Sequence, residues 1–288
     1  MIELKGTGTA LVTPFTPEGE VDYEAYAALV ERQIEGGVDF LVPLATTGET
    51  PTLTAEEKFA LLKLTRGIAG KNPLLVGCGS NSVAGTLANM AAVDASCVDA
   101  WLVVVPFYNK PTQEGMYQYF KAIAAATDKP VVIYNVPGRT GANMSAETCI
   151  RLAKDCPSII ATKEASGKYE QICEILAGAP KDFAVLSGDD DMTLAIMKKG
   201  ARGVVSVASN IAPAELSAMT AAALEGKWEE AERIEEGLKP LFKACFVESN
   251  PIPAKAALSL LGLCTDTMRL PLTSATQSTR DLMASLLH

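Results

Sequence analysis

The feature that most constrains the fold is a recurrence. Short apolar runs rich in β-branched residues return at steps of roughly 20 to 35 residues, the length that one parallel strand and its crossover helix require. Strands are predicted over residues 8–13, 39–44, 74–77, 100–105, 131–134, 159–162, 184–187 and 203–207. They are nearly continuous apolar runs rather than alternating ones, as expected of parallel strands covered on both faces. Helical signals lie between them. Asp22 precedes an apolar stripe at Tyr26, Leu29, Val30 and Ile34 that Gly36-Gly37 closes. Thr54-Ala55-Glu56-Glu57 reads as a capping box. Asp191 opens a helix whose last turn holds Lys198-Lys199 before Gly200, charges in the order the helix dipole favours.

Eight such units point to an α/β chain folded as a (β/α)8 barrel, with a doubly wound open sheet as the alternative. The open sheet usually carries a glycine-rich nucleotide loop. Here Gly77-Cys78-Gly79 lacks the third glycine and no P-loop lysine motif occurs. After about residue 212 strand signals stop, and residues 213–246, 253–261 and 273–287 read as helices. The expected division is therefore a barrel over 1–224 that carries the site, and a C-terminal helical region over 225–288.

Composition narrows the chemistry. The chain holds one histidine, His288 at the last position, which removes histidine bases, Ser-His-Asp triads and HExxH zinc sites. Its seven cysteines are scattered and form no CxxC pair, so they read as small buried hydrophobes in a reducing compartment. A net charge of −9 without a basic run argues against nucleic acid or an anionic membrane as partner. No stretch has the length of a membrane span and the first residues do not read as a signal peptide, so a cytoplasmic protein is expected.

In a barrel, catalytic groups follow the strands. Lys163 ends the run Ile159-Ile160-Ala161-Thr162, where a partly desolvated amine can serve as a nucleophile; the bland alternative is an ion pair with Glu164. Tyr134 ends another buried strand, either as a proton-transfer group or as a core tyrosine. Thr46 and Thr47 offer hydroxyls in a strand-to-helix loop, or simply turn chemistry. Arg139 follows Pro137-Gly138 and can clamp a carboxylate or form a surface pair. The run Asp189-Asp190-Asp191 reads first as a capped helix start and second as a metal-ligand set, which with Glu164 would make a metal-dependent lyase. A barrel that has lost catalysis and serves in assembly is a third reading.

With these residues in place the chain resembles the dihydrodipicolinate synthase group of the pyruvate-dependent class I aldolases. The resemblance runs from Gly6-Thr7-Gly8-Thr9-Ala10-Leu11-Val12-Thr13-Pro14-Phe15 through Thr46-Thr47-Gly48-Glu49, Tyr134-Asn135-Val136-Pro137-Gly138-Arg139-Thr140-Gly141 and Lys163-Glu164-Ala165 to Asn250-Pro251-Ile252-Pro253. It implies a covalent imine of pyruvate with Lys163 and no other cofactor or metal. Tyr134 would be the acid/base partner, and Thr46 and Tyr108 would relay protons, Tyr108 coming from a neighbouring subunit. Thr47 would hold the pyruvate carboxylate, Gly188 and Val205 would line its pocket through their backbones, and Arg139 would bind the carboxylate of L-aspartate 4-semialdehyde. The product would be 4-hydroxy-tetrahydrodipicolinate, on the way to lysine and diaminopimelate.

The same resemblance implies a homo-oligomer, a tetramer built as a dimer of dimers. The rival within the superfamily is N-acetylneuraminate lyase or a sugar-acid aldolase, which would share Lys163 and Tyr134; Thr46-Thr47 and Arg139 favour the synthase. Lysine-inhibited synthases carry an acidic residue where this chain has Gly85, imidazoles at Ala55 and Lys58, and a tyrosine at Phe107, whereas Asn81 is retained. Feedback inhibition by L-lysine is accordingly expected to be weak or absent.

Overall fold

The computed structural model describes residues 2–287, so His288 lies outside the described residues. Eight parallel strands occur in the predicted order: β1 Gly6–Ala10, β2 Phe40–Val42, β3 Leu75–Gly77, β4 Ala100–Val104, β5 Val131–Asn135, β6 Ile159–Glu164, β7 Ala184–Ser187 and β8 Gly203–Ser206. Their spatial order is β2-β1-β8-β7-β6-β5-β4-β3, and a parallel bridge between Leu41 and Leu74 joins the two ends. The sheet therefore closes on itself as a (β/α)8 barrel.

Helices follow the strands: α1 Tyr23–Glu35, α2 Ala55–Ala69, α3 Val83–Ala91, α4 Gln113–Ala125, the single turn α5 Pro137–Thr140, α6 Ala146–Asp155, α7 Tyr169–Gly178 and α8 Thr193–Met197. The caps form where the sequence places them. Asp22 accepts from Ala25 N, and Thr54 and Glu57 bond reciprocally as a capping box. After β8 come α9 Pro213–Leu224, α10 Trp228–Ala244, α11 Ile252–Leu260 and α12 Gln277–Ala284. The helical stretch expected over 213–246 is two helices, broken at Gly226, whose φ of 75° no helix accommodates.

Period-2 alternation divides the apolar residues into two layers. Phe40, Leu75, Leu102, Val132, Leu186 and Val205 fill the barrel, whereas Leu41, Val76, Trp101, Val103, Ile133 and Val185 pack outward beneath the helices. Gly8 is explained by this filling, because a Cβ there would fall 2.0 Å from Phe40 Cε2. Outward polar residues of β1 are satisfied by helices: Thr7 Oγ1 lies 2.8 Å from Thr220 Oγ1 of α9, and Thr9 Oγ1 donates to Gln33 of α1.

Three local predictions are corrected. β1 begins earlier than residue 8 and ends at Ala10. Leu11 N still bonds Val42 O, but Val12 N turns to the side chain of Asn210, so Leu11 and Val12 are buried loop. β6 runs on through Lys163 and Glu164, because β5 holds both in register: Tyr134 opposite Lys163 and Asn135 opposite Glu164. At the acidic run a 3-10 turn over Asp190–Met192 leads into α8 with no side-chain cap, and Lys198 and Lys199 lie past the helix end. Asp190 instead accepts from Val207 N and Ala208 N, at 3.2 and 3.0 Å, where the chain leaves β8. Of the cysteines, Cys173 and Cys264 are only half-buried; the other five are buried, and all seven are free thiols. No helix among the described residues is long and apolar enough to cross a membrane.

Candidate active site

The site is built on the register between β5 and β6. Alternation turns Ala161 and Lys163 of β6 into the barrel and Thr162 and Glu164 outward. Lys163 is 5% exposed and its Nζ stands 4.3 Å from the centroid of the Tyr134 ring, the residue opposite it on β5. No carboxylate of a described residue lies within ion-pairing distance of it.

The pairing of Lys163 with Glu164 does not form, because neighbours along a strand face opposite sides. Glu164 accepts from Asn135 Nδ2 at 2.8 Å on the outer face, and Asn135 is held in turn by the backbone of Met144. Burial pushes the Glu164 carboxyl up to about 7, opposed by hydrogen bonds from Ser166 and Asn135.

Next to Lys163 the wall is small. A Cβ on Gly188 would sit 2.5 Å from Ala165 Cβ and 3.1 Å from Lys163 Cε, so the absent side chain is what leaves the amine its room. Val205, fully buried on β8, belongs to the same inner layer. Burial also raises Asp189, to about 6, with Asp191 adding to the rise and the Lys163 ammonium opposing it. Asp190 is raised by burial as well, and its Oδ1 has no partner. Among the described residues no group of three His, Cys, Asp or Glu is disposed to hold a metal ion.

The loop after β2 supplies the hydroxyls. A 3-10 turn over Thr46–Gly48 is bracketed by left-handed residues, Leu44 at φ 56° and Glu49 at φ 51°. Thr46 is exposed at the barrel mouth. Thr47 is buried, and its Oγ1 accepts from Asn250 Nδ2 at 2.9 Å. With a lone pair so occupied, the Thr47 hydroxyl keeps its own proton to donate.

Thr46, Tyr134 and Arg139 open on one cavity of about 500 Å³, which extends past Thr140 and Phe107 to Lys58. Arg139, on the exposed turn α5, donates to Asn250 O at 3.3 Å. Thr47, Lys163, Gly188 and Val205 are not in its lining; Lys163 adjoins it through the Tyr134 ring. Tyr108 does not enter it either. That residue is 86% exposed, at φ 73°.

Two groups escaped the strand-end reading. Asn250 touches both Thr47 and Arg139 from a segment far along the chain. Lys255 is fully buried and pairs with Glu49 at 2.8 Å. The signal for the latter was available: a lone charge in the otherwise apolar stretch Ile252–Leu260 calls for a buried partner.

A parallel barrel whose C-terminal mouth holds a buried amine against a phenol is built for the amine-nucleophile chemistry of an aldolase-type lyase. Comparison with known proteins specifies it further. The chain belongs to the dihydrodipicolinate synthetase family, whose model matches residues 3–288. It is 48% identical over 286 residues to the 4-hydroxy-tetrahydrodipicolinate synthase of Phocaeicola vulgatus, covering 99% of this chain and 96% of that one. The enzyme of that name from Bacillus subtilis is 46% identical over 278 residues, 96% of either chain. Among solved structures, dihydrodipicolinate synthase from Thermotoga maritima superposes with a TM-score of 0.95 at 44% identity, covering 98% of this chain and 97% of that one. A monomeric dihydrodipicolinate synthase variant superposes at 0.96, with 44% identity and 98% and 95% covered.

Proposed function

We propose that this protein condenses pyruvate with L-aspartate 4-semialdehyde to 4-hydroxy-tetrahydrodipicolinate, through an imine on Lys163. The observation that carries the reading is the buried Lys163 amine, without an ion-pair partner among the described residues, 4.3 Å from the Tyr134 ring. A free amine at Nζ adds to the ketone carbon of pyruvate, and loss of water leaves the imine. The protonated imine withdraws electrons from the methyl carbon, which gives up a proton and becomes an enamine. The enamine carbon attacks the aldehyde, forming the new carbon–carbon bond, and the aldehyde oxygen takes up a proton. The amino group of the second substrate then displaces Lys163 as the product closes its ring.

Tyr134, beside the amine, moves the protons of imine formation, with Thr46 and Tyr108 completing the relay. The Thr47 hydroxyl proton, left free by the Asn250 contact, points to a carboxylate as its acceptor. Arg139, exposed and lining the cavity, suits the carboxylate of the longer substrate. The backbones of Gly188 and Val205 line the pyruvate pocket. The chemistry needs no metal or further cofactor, because the lysine imine is itself the electron sink.

Tyr108, exposed and outside the cavity of its own chain, completes the relay from a neighbouring subunit, so the active form is a homo-oligomer, and the family resemblance makes it a tetramer of two tight dimers. The barrel of residues 1–224 carries the reacting groups, and 225–288 is the C-terminal helical region, which lends Asn250 to the site. We place the enzyme in the cytoplasm, a reducing compartment that suits its seven free thiols.

The test is borohydride reduction in the presence of pyruvate followed by peptide mass analysis. A pyruvate-derived adduct on Lys163 is expected, and the absence of an adduct on any lysine overturns the reading. An assay with aspartate semialdehyde then separates the synthase from a lyase or sugar-acid aldolase acting on other aldehydes.

A further inference from the structure

The chain buries a second lysine completely. Lys255 of α11 and Glu49 of the Thr46–Glu49 turn are both 0% exposed, with Nζ 2.8 Å from Oε1. Lys255 Nζ also donates to Thr267 O at 2.6 Å and lies over the Phe15 ring, while the other oxygen of Glu49 accepts from Arg269 N at 3.2 Å. Every polar atom of the pair is thus engaged within the protein, and neither group reaches the cavity.

The two charges anchor the two segments that meet at Thr47. Glu49 occupies the left-handed region, unusual for a side chain of its kind, and its backbone N–H closes the 3-10 turn on Thr46 O at 3.1 Å. α11 starts two residues after Asn250, the residue that donates to Thr47 Oγ1 and accepts from Arg139. The ion pair therefore closes a ring: Thr47 to Asn250 by hydrogen bond, along the chain to Lys255, across to Glu49, and back along the turn to Thr47. A buried ion pair is a poor source of stability, since desolvation offsets most of its attraction, and well-packed apolar or neutral replacements are often as stable. What it does supply is a fixed geometry.

We propose that Lys255 and Glu49 are positioning residues, holding the Thr47 hydroxyl and Asn250 in the arrangement that receives the pyruvate carboxylate. The inference rests on the aldolase reading above, and the experiment separates the two. The readouts are the pyruvate concentration giving half-maximal borohydride trapping at Lys163, and the melting temperature. In the double variant Lys255→Met/Glu49→Gln the charge pair is removed with volume kept. The expected result is a melting temperature near that of the wild type and a half-saturating pyruvate concentration raised about tenfold or more, as a small misplacement of a binding group produces. Glu49→Gln alone removes the ion pair while keeping the shape of the turn, so it answers the question even where the double variant does not fold; the same rise is expected. Wild-type pyruvate dependence in either folded variant overturns the proposal. A wild-type protein that traps no pyruvate overturns the aldolase reading itself.

Discussion

Glu164 offers a quantitative check on the outer wall of the site. Its carboxyl is 1% exposed, bonded to Asn135, and raised from an ordinary 4.5 to about 7, chiefly by burial. Between those two values the folded protein holds a proton that the unfolded chain has released. Stability therefore falls as pH rises through the window and levels off above about 7. A shift of that size corresponds to about 3 kcal/mol lost between pH 4.5 and pH 8. In Glu164→Gln the amide oxygen still accepts from Asn135 but nothing titrates. Urea unfolding of both proteins at matched concentration across this range is the assay. Asp189 and Asp190 are raised too, so the wild-type slope is a sum and only the difference between the two proteins reports Glu164. The variant should match the wild type near pH 4.5 and exceed it at pH 8 by up to about 3 kcal/mol. Because Glu164 faces away from Lys163, pyruvate trapping should be unchanged. Parallel stability curves over the whole range would refute the assignment of a proton to this carboxyl.

Other substitutions probe the inner face. Tyr134→Phe should lower kcat by about 10²- to 10⁴-fold, the usual contribution of a proton-transfer group, with the fold intact by circular dichroism. Arg139→Ala should reduce kcat/KM for the aldehyde substrate about 10- to 100-fold, as the loss of a charge-assisted contact does, with a smaller effect on pyruvate in steady-state kinetics. Gly188→Ala forces a methyl group to 2.5 Å from Ala165 Cβ and 3.1 Å from Lys163 Cε, so about 1–3 kcal/mol of stability should be lost by denaturant titration and trapping at Lys163 slowed. Millimolar L-lysine should leave the rate unchanged: Gly85 brings no carboxylate, and a Cβ there would meet Ser80 Oγ at 2.6 Å. Strong cooperative inhibition would contradict this.

The barrel was legible because each strand is a local apolar run, and a run names its own burial. The ends of the strands were less so. Lys163 and Glu164 are poor strand formers, yet β6 extends through them because β5 presents Tyr134 and Asn135 in register. Val12 looks like strand, yet the ladder stops short of it after the Leu11 N–H, because Asn210, some 200 residues away, offers Val12 N a competing acceptor. Asp190 has the position of a helix cap and spends its carboxylate on the exit of β8. In each case a partner distant in sequence outweighs a local preference, and no local pattern records such a partner.

The same physics explains which half of the site could be read. Lys163, Tyr134, Thr46 and Arg139 stand at or just beyond strand ends, so parallel topology alone brings them to one mouth. Asn250 and Lys255 arrive from a helical region that topology does not oblige to approach the mouth at all. Their longest-range ties are to Thr47 and Glu49, spanning 203 and 206 residues of chain, and Arg139 and Thr267 add a hydrogen bond each. A charge that a helix cannot leave in an apolar setting must find its opposite, and Glu49 lies at the end of the very turn that carries Thr46 and Thr47. The buried charge that places α11 against the barrel therefore also sets where the hydroxyls of that turn stand.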